Sequence, residues 1–119
     1  MSIEQTDREA AQVGHPDAPR VSLEFIKKKI QARTFGQASD LLDPSDGFPS
    51  AIEKQMSLLT ICVLVMKNGF TIIGKSAPAS PDRFDAEFGK KLAYEDAIRQ
   101  VWPFEGYLLR EQLSNGESA

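Results

Sequence analysis

Two β-prone apolar runs stand out in the hydrophobic pattern of the chain. They cover residues 59–67 and 70–75 and are joined by the dipeptide Asn68-Gly69. Asn-Gly suits the two positive-φ positions of a type I′ turn, which is the commonest tight connection between antiparallel strands. The pattern therefore predicts a two-stranded antiparallel β-hairpin.

Both faces of this predicted hairpin are apolar. A two-residue turn would place Met66 opposite Thr71 and Leu64 opposite Ile73. A hairpin of two strands is not stable alone in water, and a sheet exposed on one side would alternate apolar with polar residues. We therefore expect a helix to cover one face. A second copy of the chain would cover either the other face or the small-residue side of the long helix predicted below, which makes a homo-oligomer. The two predicted faces consist of Ile61, Val63, Val65, Phe70 and Ile72, and of Thr60, Cys62, Leu64, Met66, Thr71 and Ile73.

A helix is predicted ahead of the hairpin. Ser22 has the character of an N-cap residue, and Phe25, Ile26 and Ile30 would form its buried stripe before Gly36 ends it. Residues 1–20 contain Pro16, Pro19 and many polar side chains, with no apolar periodicity, so we expect a disordered leader there. The prediction is a single α+β domain over residues 21–113, followed by a polar tail at 114–119.

A long helix is predicted after the hairpin. Ser80-Pro81 resembles a helix start, and the helical spacing continues to about Val101, where Pro103 is expected to kink the helix. One side of this helix carries small residues that allow a close backbone approach. The predicted fold is thus a leading helix, a two-stranded hairpin and a long C-terminal helix kinked at Pro103. The small residues are Ala86, Gly89, Ala93 and Ala97.

Composition limits the possible functions. The 119 residues carry a formal net charge of −3, which argues against a sequence-independent nucleic-acid binder. No apolar run approaches the roughly 20 residues that span a bilayer, and the polar, acidic start lacks the order of a signal peptide. We therefore expect no membrane partner, no nucleic-acid partner and a location in the cytoplasm of the host cell.

The residues from Leu59 to Leu113 resemble a known family. The matching strings are Leu59-Thr-Ile-Cys-Val-Leu-Val, Lys67-Asn-Gly-Phe, Gly74-Lys-Ser-Ala and Trp102-Pro-Phe-Glu-Gly-Tyr-Leu-Leu-Arg. In these strings the chain is similar to small tailed-phage and prophage proteins named after gene product 49 of a coliphage. The resemblance implies a phage or prophage origin and an accessory role, and it transfers no catalytic residue.

The residues that most often carry catalysis are scarce. His15 is the only histidine and falls in the predicted leader, where nothing would hold it as a general base. Cys62, the only cysteine, lies among apolar strand residues, which favours core packing over nucleophilic chemistry. No P-loop, Gly-x-Gly-x-x-Gly or zinc-type spacing is present, so we expect neither a cofactor nor a metal ion.

Two charged clusters have a functional and a structural interpretation. Asp82, Asp85 and Glu87 could hold Mg²⁺ in a metal-assisted hydrolase, although carboxylates at a helix start more often cap the helix. Lysines and arginines could form an anion site between subunits, with Phe35 and Tyr94 stacking on bases, although charges on solvated faces are the more common arrangement. The candidate anion-binding residues are Lys90, Lys91 and Arg99.

Aromatic residues near the predicted kink suggest a recognition surface. Tryptophan and tyrosine are common anchors of protein interfaces, although a structural joint against the hairpin would use the same residues. The leading hypothesis is a non-enzymatic accessory protein that binds a host or phage protein, and the alternatives are a small-ligand or nucleotide-binding oligomer and the hydrolase. The candidate recognition residues are Trp102, Phe104, Glu105, Tyr107 and Phe35.

Overall fold

A three-stranded antiparallel sheet lies at the centre of the fold. Its strands are β1 (Ile30–Gln37), β2 (Thr60–Met66) and β3 (Thr71–Ser76), in the order β1-β2-β3. The computed structural model describes residues 2–116. The α+β class is confirmed, but the prediction of a two-stranded sheet was wrong, because β1 forms a third strand beside β2.

Four α-helices accompany the sheet within the described part of the chain. They are α1 (Ile3–Ala11), α2 (Leu23–Lys28), α3 (Ser50–Met56) and α4 (Ala86–Ser114). Single 3₁₀ turns occur at Ala38–Leu41, Pro44–Asp46 and Pro81–Arg83. None of the described helices has the length and apolar character needed to cross a bilayer.

The leading helix is shorter than predicted. Ser22 is its N-cap, since its hydroxyl oxygen accepts a hydrogen bond from the Phe25 N–H at 3.1 Å. The helix ends at Lys28, and Ile30 already belongs to β1, where the sequence predicted continued helix. Hydrogen-bond pairing with β2 makes this segment a strand, because pairing between residues about 30 positions apart overrides local helix propensity.

The predicted disordered leader contains helix α1. The Ser2 side chain caps it by accepting a hydrogen bond from the Gln5 N–H at 3.0 Å, and Ile3 is buried in the core. Asp7 fixes the helix to α2, because its Oδ1 accepts hydrogen bonds from the Leu23 N–H and from Arg20 Nη1, both at 2.9 Å. These tertiary contacts, rather than apolar periodicity, hold the segment.

The hairpin turn has three residues instead of two. The Gly69 N–H donates to the Met66 carbonyl and the Met66 N–H to the Phe70 carbonyl, both at 2.8 Å. Only Gly69 in this turn has a positive φ, of 89°, which is the geometry of a type I turn followed by a bulge. The observed register pairs Val65 with Thr71, so the predicted register was wrong by one residue.

This one-residue difference changes which residues share a face. Ile72 and Gly74 lie on the same face as Cys62 and Leu64, and this face is buried. The opposite face carries Ile73, which is 60% exposed, beside half-buried apolar residues of β2. We call this second surface the open face. Its residues are Ala32, Thr34, Gly36, Ile61, Val63, Val65, Thr71, Ile73 and Lys75.

Helix α4 covers the buried face at very short range. A Cβ atom built on Gly74 would lie 2.5 Å from the Ala97 nitrogen, and closer still to the Ala93 carbonyl oxygen. The small-residue side of the predicted helix is therefore packed against the chain's own sheet. The helix starts at Ala86, later than predicted, because Asp85 rather than Ser80 is its N-cap. It continues through Pro103 to Ser114 as one helix.

The shape of the molecule is elongated. Its radius of gyration is 18.0 Å, whereas a compact domain of this length has a value of about 13 to 14 Å. The far half of α4 extends past the sheet with several exposed apolar side chains. These are Phe104, Tyr107, Leu108 and Leu113.

Replacing Gly74 with alanine tests the close contact between α4 and β3. The added methyl group meets backbone atoms that cannot rotate away, so we expect Gly74→Ala to lower the free energy of unfolding by about 2 to 3 kcal/mol. Gly106→Ala is the matched control, because nothing lies within 4 Å of its Cβ position in the same helix. It should raise stability by about 0.5 to 1 kcal/mol. Urea unfolding of both variants measures the difference, and equal stabilities would contradict the close approach.

The contacts of Asp7 with Leu23 and Arg20, which hold α1 in place, should make the stability of the protein depend on pH. Burial raises the pKa of the Asp7 carboxyl, but the Leu23 N–H and Arg20 outweigh this effect and bring it below its ordinary value of 3.8. Its contribution is therefore present above pH 3.8 and is lost as the pH falls through the lower folded pKa. Asp7→Ala should cost about 1 kcal/mol at pH 7 and less at pH 2. The same loss of stability at pH 7 and at pH 2 would refute this role. An equal loss for Asp17→Ala, at an exposed position, would also refute it.

Candidate functional site

A concave surface lies between the hairpin turn, the end of α2 and the middle of α4. Its volume is about 480 Å³. Side chains from β2, β3 and α4 form an apolar floor, and charged or polar side chains form the rim. We call this site the tip groove. The floor consists of Met66, Ile72, Val101 and Leu108, the more exposed Phe70 and Phe104 lie at the mouth, Lys29 and Glu105 form one wall, and Lys67 and Asn68 lie at the rim.

Two phenylalanines mark the mouth of the tip groove. The ring centroids of Phe70 and Phe104 are 5.4 Å apart in an edge-to-face arrangement. Both side chains remain more than half exposed although they contact each other. Phe70 comes directly after Gly69, whose positive φ turns the chain back into β3. The turn geometry thus places one aromatic ring against the helix that carries the other.

An ion pair forms one wall of the tip groove. Lys29 Nζ lies 2.8 Å from Glu105 Oε2, and the Glu105 side chain is only 13% exposed. Lys29 Nζ also lies 4.7 Å from the centre of the Phe25 ring. Because both charges are partly withdrawn from water, removing one partner should cost more than breaking a surface pair. The pair fixes α2 to the far half of α4.

A second cavity adjoins the tip groove on the other side of this ion pair. Its volume is about 320 Å³, and it shares Lys29, Glu105 and Leu108 with the tip groove. Further lining comes from α2 and the segment before it, including Val21 and Phe25. The two cavities therefore form one extended surface along the exposed part of α4.

The structure separates the five predicted recognition residues. Phe104 and Glu105 line the tip groove. Trp102 is half-buried and its Nε1 donates a hydrogen bond to the Val21 carbonyl at 2.9 Å, so its contacts are those of a structural joint. Tyr107 is 73% exposed and does not line the groove, while Phe35 lies on β1. Lys29 and Leu108 belong to the groove but were not predicted as site residues.

Phe35 belongs to a different cluster. The Arg33 guanidinium lies 5.5 Å from the centre of the Phe35 ring and 4.9 Å from that of Tyr94. Burial raises the pKa of the Tyr94 hydroxyl above its ordinary value, despite the nearby guanidinium. We call these three residues the arginine–aromatic cluster. It presents one cation flanked by two rings at the edge of the sheet.

The predicted anion-binding residues are not grouped. Lys90 Nζ lies 3.5 Å from Glu87 and Arg99 Nη2 lies 3.8 Å from Glu95, both on α4 itself. Lys91 is exposed. Lys90 and Arg99 are nine residues apart, which places them on opposite sides of an α-helix. The helix alone therefore does not join these three cations into one site.

The predicted acidic cluster is engaged in helix structure. Asp85 Oδ1 accepts a hydrogen bond from the Phe88 N–H at 2.8 Å, and Asp82 lies in the preceding 3₁₀ turn. Across residues 2–116, no three His, Cys, Asp or Glu side chains are grouped so that they could hold a metal ion. Cys62 is completely buried, and burial raises the pKa of its thiol. His15 Nδ1 accepts a hydrogen bond from the Asp17 N–H at 3.2 Å in an exposed loop.

Comparison with known proteins identifies a family. A model of the phage protein (N4 Gp49/phage Sf6 gene 66) family matches residues 21–113, which include the sheet, α2 and most of α4. The chain belongs to this family. The predicted resemblance is therefore confirmed. No curated protein and no solved structure gives a significant match.

The family match includes both candidate surfaces. The tip groove and the arginine–aromatic cluster lie entirely within residues 21–113, whereas α1 lies before the matched segment. The string Trp102–Arg110 contributes one residue to the structural joint and several to the groove. Membership of this phage family does not itself assign an activity to either surface.

Proposed function

We propose that this phage protein acts by binding another protein of the phage or of the host cell, in the cytoplasm, and that it does so without catalysis. The observation that carries this proposal is the tip groove, an apolar concave surface in contact with solvent. Exposed apolar surface bordered by polar side chains is typical of sites that bind proteins or other ligands. Its aromatic mouth suits the anchoring role that large side chains have in interfaces.

The tip groove favours a particular kind of partner segment. Its floor is apolar, and Lys67 is an exposed cation at the rim. Lys29 adds a second cation, although Glu105 neutralises it in the unbound protein. A segment that inserts apolar side chains beside a carboxylate would match this surface. The adjoining cavity extends the contact along α4, as in the recognition of amphipathic helices by grooves.

A second candidate function rests on the arginine–aromatic cluster. Guanidinium groups bind phosphate, and aromatic faces stack on bases, so this combination is suited to a nucleotide. Arg33 is exposed, while Phe35 and Tyr94 are half-buried and held in place by the core. A small anionic ligand with a planar ring is therefore the alternative to a protein partner.

Charge introduced into the tip groove tests the leading proposal. We expect tagged wild-type protein to retain a specific partner from lysate of infected host cells. Phe104→Glu should reduce that retention at least tenfold, because a carboxylate in the apolar mouth must be desolvated on binding. Quantitative mass spectrometry of the retained proteins provides the measurement.

Tyr107→Glu is the matched control for this experiment. Tyr107 lies on the same exposed part of α4, is more exposed than Phe104 and does not line the groove. A partner retained by wild type and Tyr107→Glu but lost with Phe104→Glu supports the proposal. Equal loss with both variants, or no specific retention by wild type, contradicts it.

A thermal-shift screen tests the second candidate. A nucleotide at a hundredfold excess over its dissociation constant would add about 2.7 kcal/mol of stability, which corresponds to several degrees in Tm. Linear and cyclic mononucleotides and dinucleotides form the panel. The shift should be present in wild type and absent in Arg33→Ala, whereas Lys91→Ala should retain it. No shift with any member of the panel would remove this candidate.

A further inference from the structure

The two edges of the sheet differ in how their outward backbone groups are satisfied. On β3, the Lys75 N–H donates to Asp96 Oδ2 at 2.9 Å, and the Ile73 carbonyl accepts from Gln100 Nε2 at 2.7 Å. Both side chains come from α4. At these two groups the β3 edge is closed to another strand by the chain's own helix, and covering an edge in this way is a known protection against edge-to-edge pairing.

Among the described residues, no side chain is hydrogen-bonded to the outward backbone groups of Arg33 and Phe35 on β1, and the irregularity in this strand is confined to its start, between Ile30 and Ala32. The Ala38 N–H donates to the Leu59 carbonyl. Because the backbone groups of successive strand residues point to alternate sides, the N–H and carbonyl of Thr34 then point toward β2, and those of Arg33 and Phe35 point outward. Only at the end of the strand is a group capped, where the Gln37 N–H donates to Asp40 Oδ2 at 2.9 Å. Within residues 2–116 the sheet has no fourth strand beside β1.

We propose that a second copy of the chain pairs with this edge, so that two β1 strands run antiparallel across a twofold axis and join two sheets into one of six strands. The two held groups of β3 support this choice, because a strand added at β3 would have to displace Asp96 and Gln100, whereas no helix side chain holds the outward groups of Arg33 and Phe35 among the described residues. This interface is independent of the proposed function of the tip groove.

Symmetry and charge determine the register of the pairing. An axis at Arg33 would place two guanidinium groups directly opposite each other, which is unfavourable. An axis at Phe35 would pair Arg33 with Gln37, whose N–H is already held by Asp40, so a central pair would lose a hydrogen bond. With the axis at Thr34, Gln37 lies opposite Gln31, at the irregular start of β1 and outside the central pairs. An axis at Thr34 pairs Arg33 of each copy with Phe35 of the other, and all outward groups of these two residues then form hydrogen bonds.

The pairing brings together features that are separate in one chain. Arg33 already contacts Phe35 and Tyr94 of its own chain. With the axis at Thr34, Phe35 of the second copy becomes its neighbour across the strands, and the two arginine–aromatic clusters lie side by side. On the other side of the sheet, the open faces of the two copies become continuous. The interface therefore places two copies of the cluster at one subunit boundary.

A cysteine at the proposed axis tests this interface. Two residues facing each other in a non-hydrogen-bonded antiparallel pair have Cα atoms about 4.5 Å apart, which is within the range of a disulfide. Thr34→Cys at low micromolar concentration should therefore form a covalent dimer under mild oxidation. Thr71→Cys is the matched control, since it is an exposed threonine of the open face on the closed β3 edge. Cross-linking of Thr34→Cys no faster than of Thr71→Cys would overturn the proposal.

Backbone substitution provides an independent measurement. Arg33→Pro removes an outward N–H without removing a hydrogen bond between β1 and β2, whereas Arg33→Ala keeps that N–H. By light scattering, wild type and Arg33→Ala should show twice the 13.2 kDa mass of the chain, and Arg33→Pro should show 13.2 kDa with an unchanged circular dichroism spectrum. A monomeric wild type at 100 μM, or a folded Arg33→Pro dimer, would refute pairing through β1.

Discussion

The contact between α4 and the sheet at Gly74 determines most of the structure. Because Gly74 has no side chain, the backbone of α4 at Ala93 and Ala97 reaches the strand directly. The helix then covers the buried face and places Asp96 and Gln100 against the edge of β3. Because α4 packs on the buried face, it does not cover the opposite, open face, where Ile73 is 60% exposed. The position of one glycine thus decides which surfaces remain for other molecules.

Two of the remaining surfaces differ in chemistry. The tip groove is apolar and is held in shape by a partly buried ion pair between Lys29 and Glu105. The arginine–aromatic cluster combines a cation with two rings at the free edge of the sheet. Both belong to the segment that places the chain in its phage family. We infer that the groove suits a protein partner, while the cluster lies where a second copy of the chain would meet it.

Part of this fold could be predicted from the sequence. The apolar runs around Asn68-Gly69 correctly indicated two strands, and the small residues of the C-terminal helix correctly indicated a close backbone approach. Asn-Gly, however, is compatible with a two-residue turn and with a three-residue turn ending at Gly69, and only the second occurs. Strand β1 gave no local signal, because Gln31 to Thr34 lack apolar alternation and are fixed by pairing with β2.

The candidate site was predicted less completely. Phe104 and Glu105 were identified from a cluster of aromatic residues, but their neighbour Trp102 proved to hold the segment before α2. Nothing in three consecutive lysines indicates that Lys29, 76 residues away, would reach Glu105. Helix α1 was missed for a similar reason, because Ile3 and Asp7 act through tertiary contacts. Contacts between distant segments decide these features, and no local pattern records them.

Residue-resolved amide hydrogen exchange at two protein concentrations tests most directly whether this protein depends on association. At high concentration the outward amides of Arg33 and Phe35 should be protected, and dilution should remove that protection. The Lys75 amide should stay protected at both concentrations, because Asp96 of its own chain holds it. Rapid exchange at Arg33 and Phe35 at every concentration would contradict the central claim that the uncovered edge of this fold is a site of contact.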